Sequence, residues 1–74
     1  MKTYTTTSTH AHEMKRGGTA FSTIRECNAE LKALKKVTLF PEMLIVAKVK
    51  YCDCFGNVKH GGYTVANVND DHLN

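Results

Sequence analysis

The sequence lacks the features of an exported or membrane-spanning protein. Its longest uninterrupted apolar run, from Met43 to Ala47, is far shorter than the roughly 18 residues of a membrane span. Residues 1–8 are rich in threonine and contain no apolar segment of the kind found in secretion signals. We therefore expect a cytoplasmic protein without a membrane partner.

Cysteine is scarce, and its number is odd. Cys27, Cys52 and Cys54 cannot form a complete set of disulfides, so we expect reduced thiols. The pairs Cys52/Cys54 and His10/His12 each place two potential zinc ligands on one side of an extended segment. Structural zinc sites usually carry two close cysteine pairs rather than one. We therefore predict no metal site and no cofactor, and zinc binding by these two pairs is the alternative.

No arrangement of residues points to catalysis. Cys27 falls on the apolar side of a predicted helix, where cysteine behaves as a small hydrophobic residue. Cys52 and His60 could approach each other on an open sheet, but nothing there would exclude water from a reaction. The sequence therefore predicts a protein that is not an enzyme.

The composition is that of one small soluble domain covering residues 1–74. Hydrophobic residues make up 42% of the chain and charged residues 23%, which fits a folded rather than a disordered protein. A chain of 74 residues has room for one core only. The net charge of +3 is too small by itself to establish nucleic-acid binding.

The first half of the chain predicts a strand, a loop and a helix. Residues 2–9 favour a strand because threonine and tyrosine favour extended backbone. Residues 10–18 end in a glycine pair and are interpreted as a loop. Thr23 and Glu26 have the spacing of a capping box at a helix start. The helix that follows has its apolar residues three or four apart, on one side: Ile24, Cys27, Leu31 and Leu34.

The second half predicts a β-hairpin with strands over residues 43–53 and 57–68. Between them, Asp53 can bond its own backbone and Gly56 can adopt a positive φ, as a tight turn with a glycine bulge requires. Pairing outward from this turn places three pairs on one apolar face, namely Ile45 with Val65, Ala47 with Tyr63 and Val49 with Gly61. The polar residues 69–74 are expected to be frayed.

These elements predict an α+β fold of two layers, with one helix packed on a small antiparallel sheet in the order β-α-β-β. The pairing partner of the first strand is left open. Because one helix covers one side of a sheet, the other side is expected to remain accessible.

The accessible face and the hairpin tip form the predicted partner-binding surface. A mixed apolar and basic sheet face is suited to contact with another macromolecule. Its predicted residues are Leu44, Val46, Lys48, Lys50 and His60 on the face, with Phe55 at the tip.

The function expected from these features is that of a small non-catalytic protein-binding module. No stretch carries a family signature. A short chain without motifs is typical of regulators or inhibitors of larger protein or ribonucleoprotein complexes, including those encoded by phages and other mobile elements. The alternative is a nucleic-acid-binding accessory protein that uses Lys48, Lys50, Lys59 and His60 on the basic sheet face. Two alternatives would cover that face instead: a fourth element of the chain, either residues 37–42 or the tail, or a second copy of the chain in a homodimer.

Overall fold

A four-stranded mixed sheet carries two helices, and the computed structural model describes all 74 residues. In chain order the elements are β1 (Lys2–Thr7), α1 (Ser8–Arg16), β2 (Ala20–Phe21), α2 (Ile24–Lys35), a short 3-10 turn (Pro41–Met43), β3 (Leu44–Cys52) and β4 (Val58–Asn67). The strands lie in the spatial order β1-β3-β4-β2. Neither helix has the length and apolar character needed to cross a membrane.

The predicted α+β class and the packing of a helix on a sheet are confirmed in outline. The predicted order of strand, helix, strand, strand is also present, with the helix α1 and the short strand β2 added. The prediction of an antiparallel sheet is wrong. β1 pairs with β3 in parallel, whereas β3 and β2 both pair with β4 antiparallel. The chain leaves β1 through α1 and crosses to the far edge, so that β1, β2 and β3 all run in the same direction.

The predicted hairpin turn is confirmed. One carboxylate oxygen of Asp53 accepts hydrogen bonds from the backbone N–H groups of Phe55 and Asn57, at 2.9 and 2.8 Å. Gly56 has φ +83°, the left-handed conformation that glycine adopts without steric cost. These local contacts fix the hairpin near the positions that the sequence predicted.

The predicted strand register is correct near the turn and wrong beyond it. Lys50 pairs with His60, but the next pairs shift by one residue, so that Lys48 faces Tyr63 and Ala47 faces Thr64. The shift is a β-bulge at Gly61 and Gly62. Because side chains alternate between the two faces of a sheet, this one residue moves Tyr63 to the face of Lys48.

The segment predicted as a loop forms most of the helix α1. The hydroxyl of Thr7 caps this helix by accepting a hydrogen bond from the backbone N–H of His10, at 3.2 Å. Ala11 and Met14, three residues apart, are its buried side chains. Two apolar positions in nine residues give too weak a periodicity to reveal the helix from the sequence.

The core beneath α1 is built mainly from alanine. Small side chains allow a helix to lie close to the sheet, and the close packing excludes water from the strands. The residues of this cluster are Tyr4, Ala11, Met14, Ala20, Ala47, Val49 and Ala66.

The helix α2 begins as predicted but packs on the other face of the sheet. The hydroxyl of Thr23 accepts the backbone N–H of Glu26 at 3.2 Å. Cys27 is fully buried and yet lies outside the cluster beneath α1. It is therefore enclosed on the face that carries Val46 and Val65. The connection through α1 runs from β1 across the sheet to β2, and the connection through α2 runs back from β2 to β3. When both connections are right-handed, their opposite directions place the two helices on opposite faces. The face that was expected to stay open is thus partly covered by α2.

The C-terminal segment is ordered, which contradicts the prediction of a frayed tail. Leu73 forms a bridge with Tyr4 in β1. The N–H of Thr5 donates to the carbonyl of His72, and the N–H of Asn74 donates to the carbonyl of Thr3, both at 3.0 Å. The tail therefore covers the outer edge of β1, where unpaired backbone groups would otherwise attract another strand.

Candidate binding surfaces

Five of the six predicted partner-binding residues lie on one face of the sheet, and the four that belong to β3 are less accessible than expected. Leu44, Val46, Lys48 and Lys50 are half-buried on the face that α2 covers. His60 is exposed beside them, and its ring makes an edge-to-face contact with Tyr63, with the ring centroids 5.2 Å apart. Phe55 projects from the hairpin tip and is 84% exposed.

His60 is held in the neutral form by its surroundings. Its pKa lies below the ordinary 6.5, first because neighbouring groups partly displace water from the ring and so disfavour the charged imidazolium, and then because Lys48 and Lys50 repel a third positive charge. The backbone N–H of Gly62 donates to Nδ1 of His60 at 3.3 Å. Nδ1 is therefore the acceptor, and the ring proton resides on Nε2. At neutral pH this surface presents a neutral hydrogen-bond donor between two lysines.

Replacing Lys48 with methionine is expected to raise the pKa of His60 part of the way back to 6.5, because one of two nearby positive charges is removed. A pH titration of the imidazole signals by NMR measures this directly. Lys59→Met is the matched control, since Lys59 pairs with Tyr51 and points to the other face of the sheet. An unchanged His60 pKa in Lys48→Met would contradict the placement of the Lys48 ammonium close to the imidazole.

A second surface, which the sequence analysis missed, lies after α2. We call residues 36–40 the apolar loop. Three large side chains there are exposed to solvent, Val37 by 80%, Leu39 by 89% and Phe40 by 63%. Small soluble domains seldom leave several large apolar side chains of one short segment in water, and such clusters mark binding sites. The signal in the sequence was the uncharged run Val-Thr-Leu-Phe, residues 37–40. In the structure none of these residues pairs with a strand.

The backbone of the apolar loop is fixed by hydrogen bonds. The N–H groups of Val37 and Thr38 both donate to the carbonyl of Leu34, at 3.1 and 3.0 Å. At the other end, the N–H of Met43 donates to the carbonyl of Phe40 at 3.0 Å. The exposed side chains are therefore presented from a defined backbone, which lowers the entropy cost of binding.

The hairpin tip is a third exposed apolar site. Phe55 is 84% and Val58 64% exposed, and the thiols of Cys52 and Cys54 are exposed near them. β3 starts near the apolar loop and ends at this tip, a path of about 30 Å at the usual rise per strand residue. The longest dimension of the molecule is 40 Å. The two apolar sites therefore lie at opposite ends.

Aromatic and histidine side chains cluster where the tail meets β1. The rings of Tyr4 and His72 stack with centroids 4.8 Å apart, and His10 lies 6.0 Å from His72. The backbone N–H of His72, and then its imidazole, donate to the Asp70 carboxylate at 2.9 Å and hold the pKa of Asp70 below its usual value. No hollow of the molecule is lined by these histidines. The cluster therefore fastens the tail rather than enclosing a ligand.

The thiols and imidazoles that could have served metal binding or catalysis are dispersed. Burial, and then the nearby Glu30 carboxylate, raise the pKa of Cys27, so this thiol stays protonated. His10 faces the tail cluster, whereas His12 lies against Tyr51 with ring centroids 5.7 Å apart. Nowhere does the structure bring three or more potential metal-ligating side chains together.

Comparisons with known protein families, with curated proteins and with solved structures find no match to this chain. The surfaces described above are therefore the basis on which a function can be argued.

Proposed function

We propose that the chain is a small non-catalytic protein-binding module that acts as a regulator or inhibitor by occupying a surface of a larger complex. The observation that carries the proposal is the apolar loop, where Val37, Leu39 and Phe40 face solvent from a hydrogen-bonded backbone. Exposed apolar clusters mark protein-binding sites, and aromatic residues such as Phe40 are enriched in protein interfaces.

The apolar loop can supply a useful binding free energy. Burying a large apolar side chain gains about 1.5–3 kcal/mol, so the three together would gain roughly 5–9 kcal/mol before the costs of association. An aromatic residue such as Phe40 is the type of side chain that fills a partner pocket. A partner with an apolar pocket of matching size is therefore the occupant that this loop fits.

Other features agree with a non-catalytic role in a reducing compartment. The largest hollow of the molecule, about 460 Å³, is open and formed by side chains of α2 alone, unlike the enclosed clefts in which enzymes bind substrates. All three thiols are free, and two of them are exposed. Exposed thiols of this kind persist most easily in the cytoplasm, where cysteines are kept reduced.

The proposal is tested with a photo-crosslinking amino acid placed at position 39 or at position 55, in extract of the organism that encodes the chain. We expect position 39 to capture one discrete protein, which mass spectrometry identifies. Position 55, at the opposite end, should not capture the same protein. The purified partner then allows affinity to be measured.

The double variant Leu39→Ser/Phe40→Ser is expected to bind that partner at least about 100-fold more weakly, because interface anchors of this kind often contribute 2 kcal/mol or more each. Its melting temperature should stay close to that of the parent, since both side chains are already in water. Phe55→Ser is the control, with unchanged affinity. A double variant that competes as well as the parent would refute the role of the apolar loop.

A further inference from the structure

One side of α2 carries a regular row of cationic and amide side chains. Arg25, Asn28, Lys32 and Lys35 follow one another at intervals of three, four and three residues, which aligns them along a single side of the helix. All four are exposed, and they line the open hollow of about 460 Å³. We call these four residues the cationic flank.

The acidic residues of α2 lie on a different side. At 100° per residue, Glu26 and Glu30 are rotated by more than 90° from the middle of the cationic flank. Glu30 and Leu34 line a hollow together with Phe21 of β2 and Val65 of β4. The acidic side of α2 therefore faces the β2 edge, and the cationic flank is directed away from it.

No carboxylate neutralises the cationic flank. The only ion pair in the structure joins His72 and Asp70 in the tail, and none of the ten lysine and arginine side chains has a carboxylate oxygen within 4.0 Å. The charges of Arg25, Lys32 and Lys35 are thus available to an anionic partner. A separate row of unpaired cations on one helix side is a surface with a defined electrostatic preference.

We propose that the cationic flank binds the phosphate backbone of a double-stranded nucleic acid. From Arg25 to Lys35 the flank extends about 15 Å along the helix. That length is enough to reach more than one phosphate of a strand, because each strand of a duplex carries one charge per about 3.4 Å of its axis. Arginine, lysine and asparagine side chains are all common donors to phosphate oxygens.

The composition of the cationic flank distinguishes between types of nucleic acid. Proteins that bind single strands combine basic residues with exposed aromatic rings on which bases stack. The flank itself has no aromatic residue; the exposed Phe40 belongs to the apolar loop beyond its C-terminal end, and Phe55 lies at the far hairpin tip. Contacts limited to phosphates, without base stacking, suit a duplex.

This site differs from the sheet face that the sequence suggested for nucleic-acid binding. There, Lys48 and Lys50 are half-buried and His60 carries no charge at neutral pH, whereas every cation of the flank is exposed. The activity goes beyond the proposed protein-binding function, because it uses α2 rather than the apolar loop. The apolar loop begins at Lys36, directly after Lys35 of the flank, so a nucleoprotein complex could meet both surfaces at once.

The test measures binding of the protein to a labelled 20-base-pair DNA duplex, a matching RNA duplex and a single strand, by fluorescence anisotropy between 50 and 200 mM NaCl. For a DNA duplex we expect the logarithm of the binding constant to fall with the logarithm of salt concentration with a slope of about −3, because each of three cations releases about 0.9 counterion. The single strand should bind more weakly than either duplex.

The triple variant Arg25→Gln/Lys32→Gln/Lys35→Gln is expected to bind duplex about 500-fold more weakly at 0.1 M salt, since each lost phosphate contact costs about 8-fold there. The salt slope should change from about −3 to near zero. Glutamine is a good helix former, so α2 should persist, and circular dichroism checks this. Lys2→Gln/Lys15→Gln/Arg16→Gln removes the same charge away from α2 and should retain most of the affinity.

Three outcomes would overturn the inference. The first is an equal loss of duplex affinity in the two triple variants. The second is tighter binding of the single strand than of the duplex. The third is tighter binding of polyglutamate, or of vesicles with anionic lipids, than of the duplex. Crosslinking from position 39 to the protein partner does not depend on the flank, so failure here leaves the proposed function standing. If position 39 captured no protein while duplex binding was intact, the proposed function would fail and the cationic flank would remain supported.

Discussion

Replacing Val49 with aspartate is expected to leave the chain unfolded. Val49 has no solvent-exposed surface and pairs with Tyr4 beneath α1. The substitution loses about 1.5–3 kcal/mol of apolar burial and places a carboxylate where no donor is available to it. A domain of this size has only about 4–11 kcal/mol of stability in total. Circular dichroism and the dispersion of NMR signals report the loss of structure.

Val58→Asp provides the matched control, since it makes the same substitution in the neighbouring strand. Val58 is 64% exposed, so its aspartate remains hydrated. We expect its free energy of unfolding to stay within about 1 kcal/mol of the parent value. If Val49→Asp were to melt with the same cooperativity as Val58→Asp, the core beneath α1 would not be where the structure places it.

Substitution of Gly62 by alanine is expected to have the second largest effect, a loss of several kcal/mol in the free energy of unfolding. Gly62 has φ +93°, and a Cβ atom there would lie 2.4 Å from the carbonyl oxygen of Phe21. The conformation alone costs about 1–2 kcal/mol for a residue with a side chain. The clash is with backbone, which cannot rotate away, so β2 must also move from the sheet edge.

Gly56→Ala separates these two causes. Gly56 has a similar φ of +83°, but a Cβ atom there would meet nothing within 4 Å. Its loss should therefore be limited to the conformational cost of about 1–2 kcal/mol. Urea unfolding of both variants measures the difference. Equal losses at the two positions would mean that β2 does not lie against the bulge.

The parts of the fold that the sequence predicted are those fixed by local contacts. Asp53 and Gly56 determine the hairpin turn, and Thr23 determines the start of α2, because each acts on neighbouring backbone. The parallel pairing of β1 with β3 joins segments more than 40 residues apart, and no local pattern encodes it. The helix α1 buries only two of its nine residues, so its periodicity was hidden.

The error in the predicted strand register is a single residue, and it changes which residues of β4 share a face with Lys48. Without the bulge at Gly61 and Gly62, Tyr63 would lie on the core face; with it, Thr64 and Ala66 take that position. The sequence shows two adjacent glycines, but it does not indicate that the strand has an extra residue at this point or which glycine it would be. Phe55 was placed correctly at an exposed tip, because the turn is local. The apolar loop was missed because residues 37–42 were considered only as a cover for the open sheet face and not as a surface of their own.

The alanine-rich interior has a thermodynamic consequence. Four of the seven residues in the cluster beneath α1 are alanine, so unfolding hydrates less hydrocarbon than it would from an interior of leucine and phenylalanine. The change in heat capacity on unfolding depends mainly on newly hydrated apolar area. A small change gives a shallow dependence of stability on temperature, so that cooling and moderate warming alter the folded population only gradually.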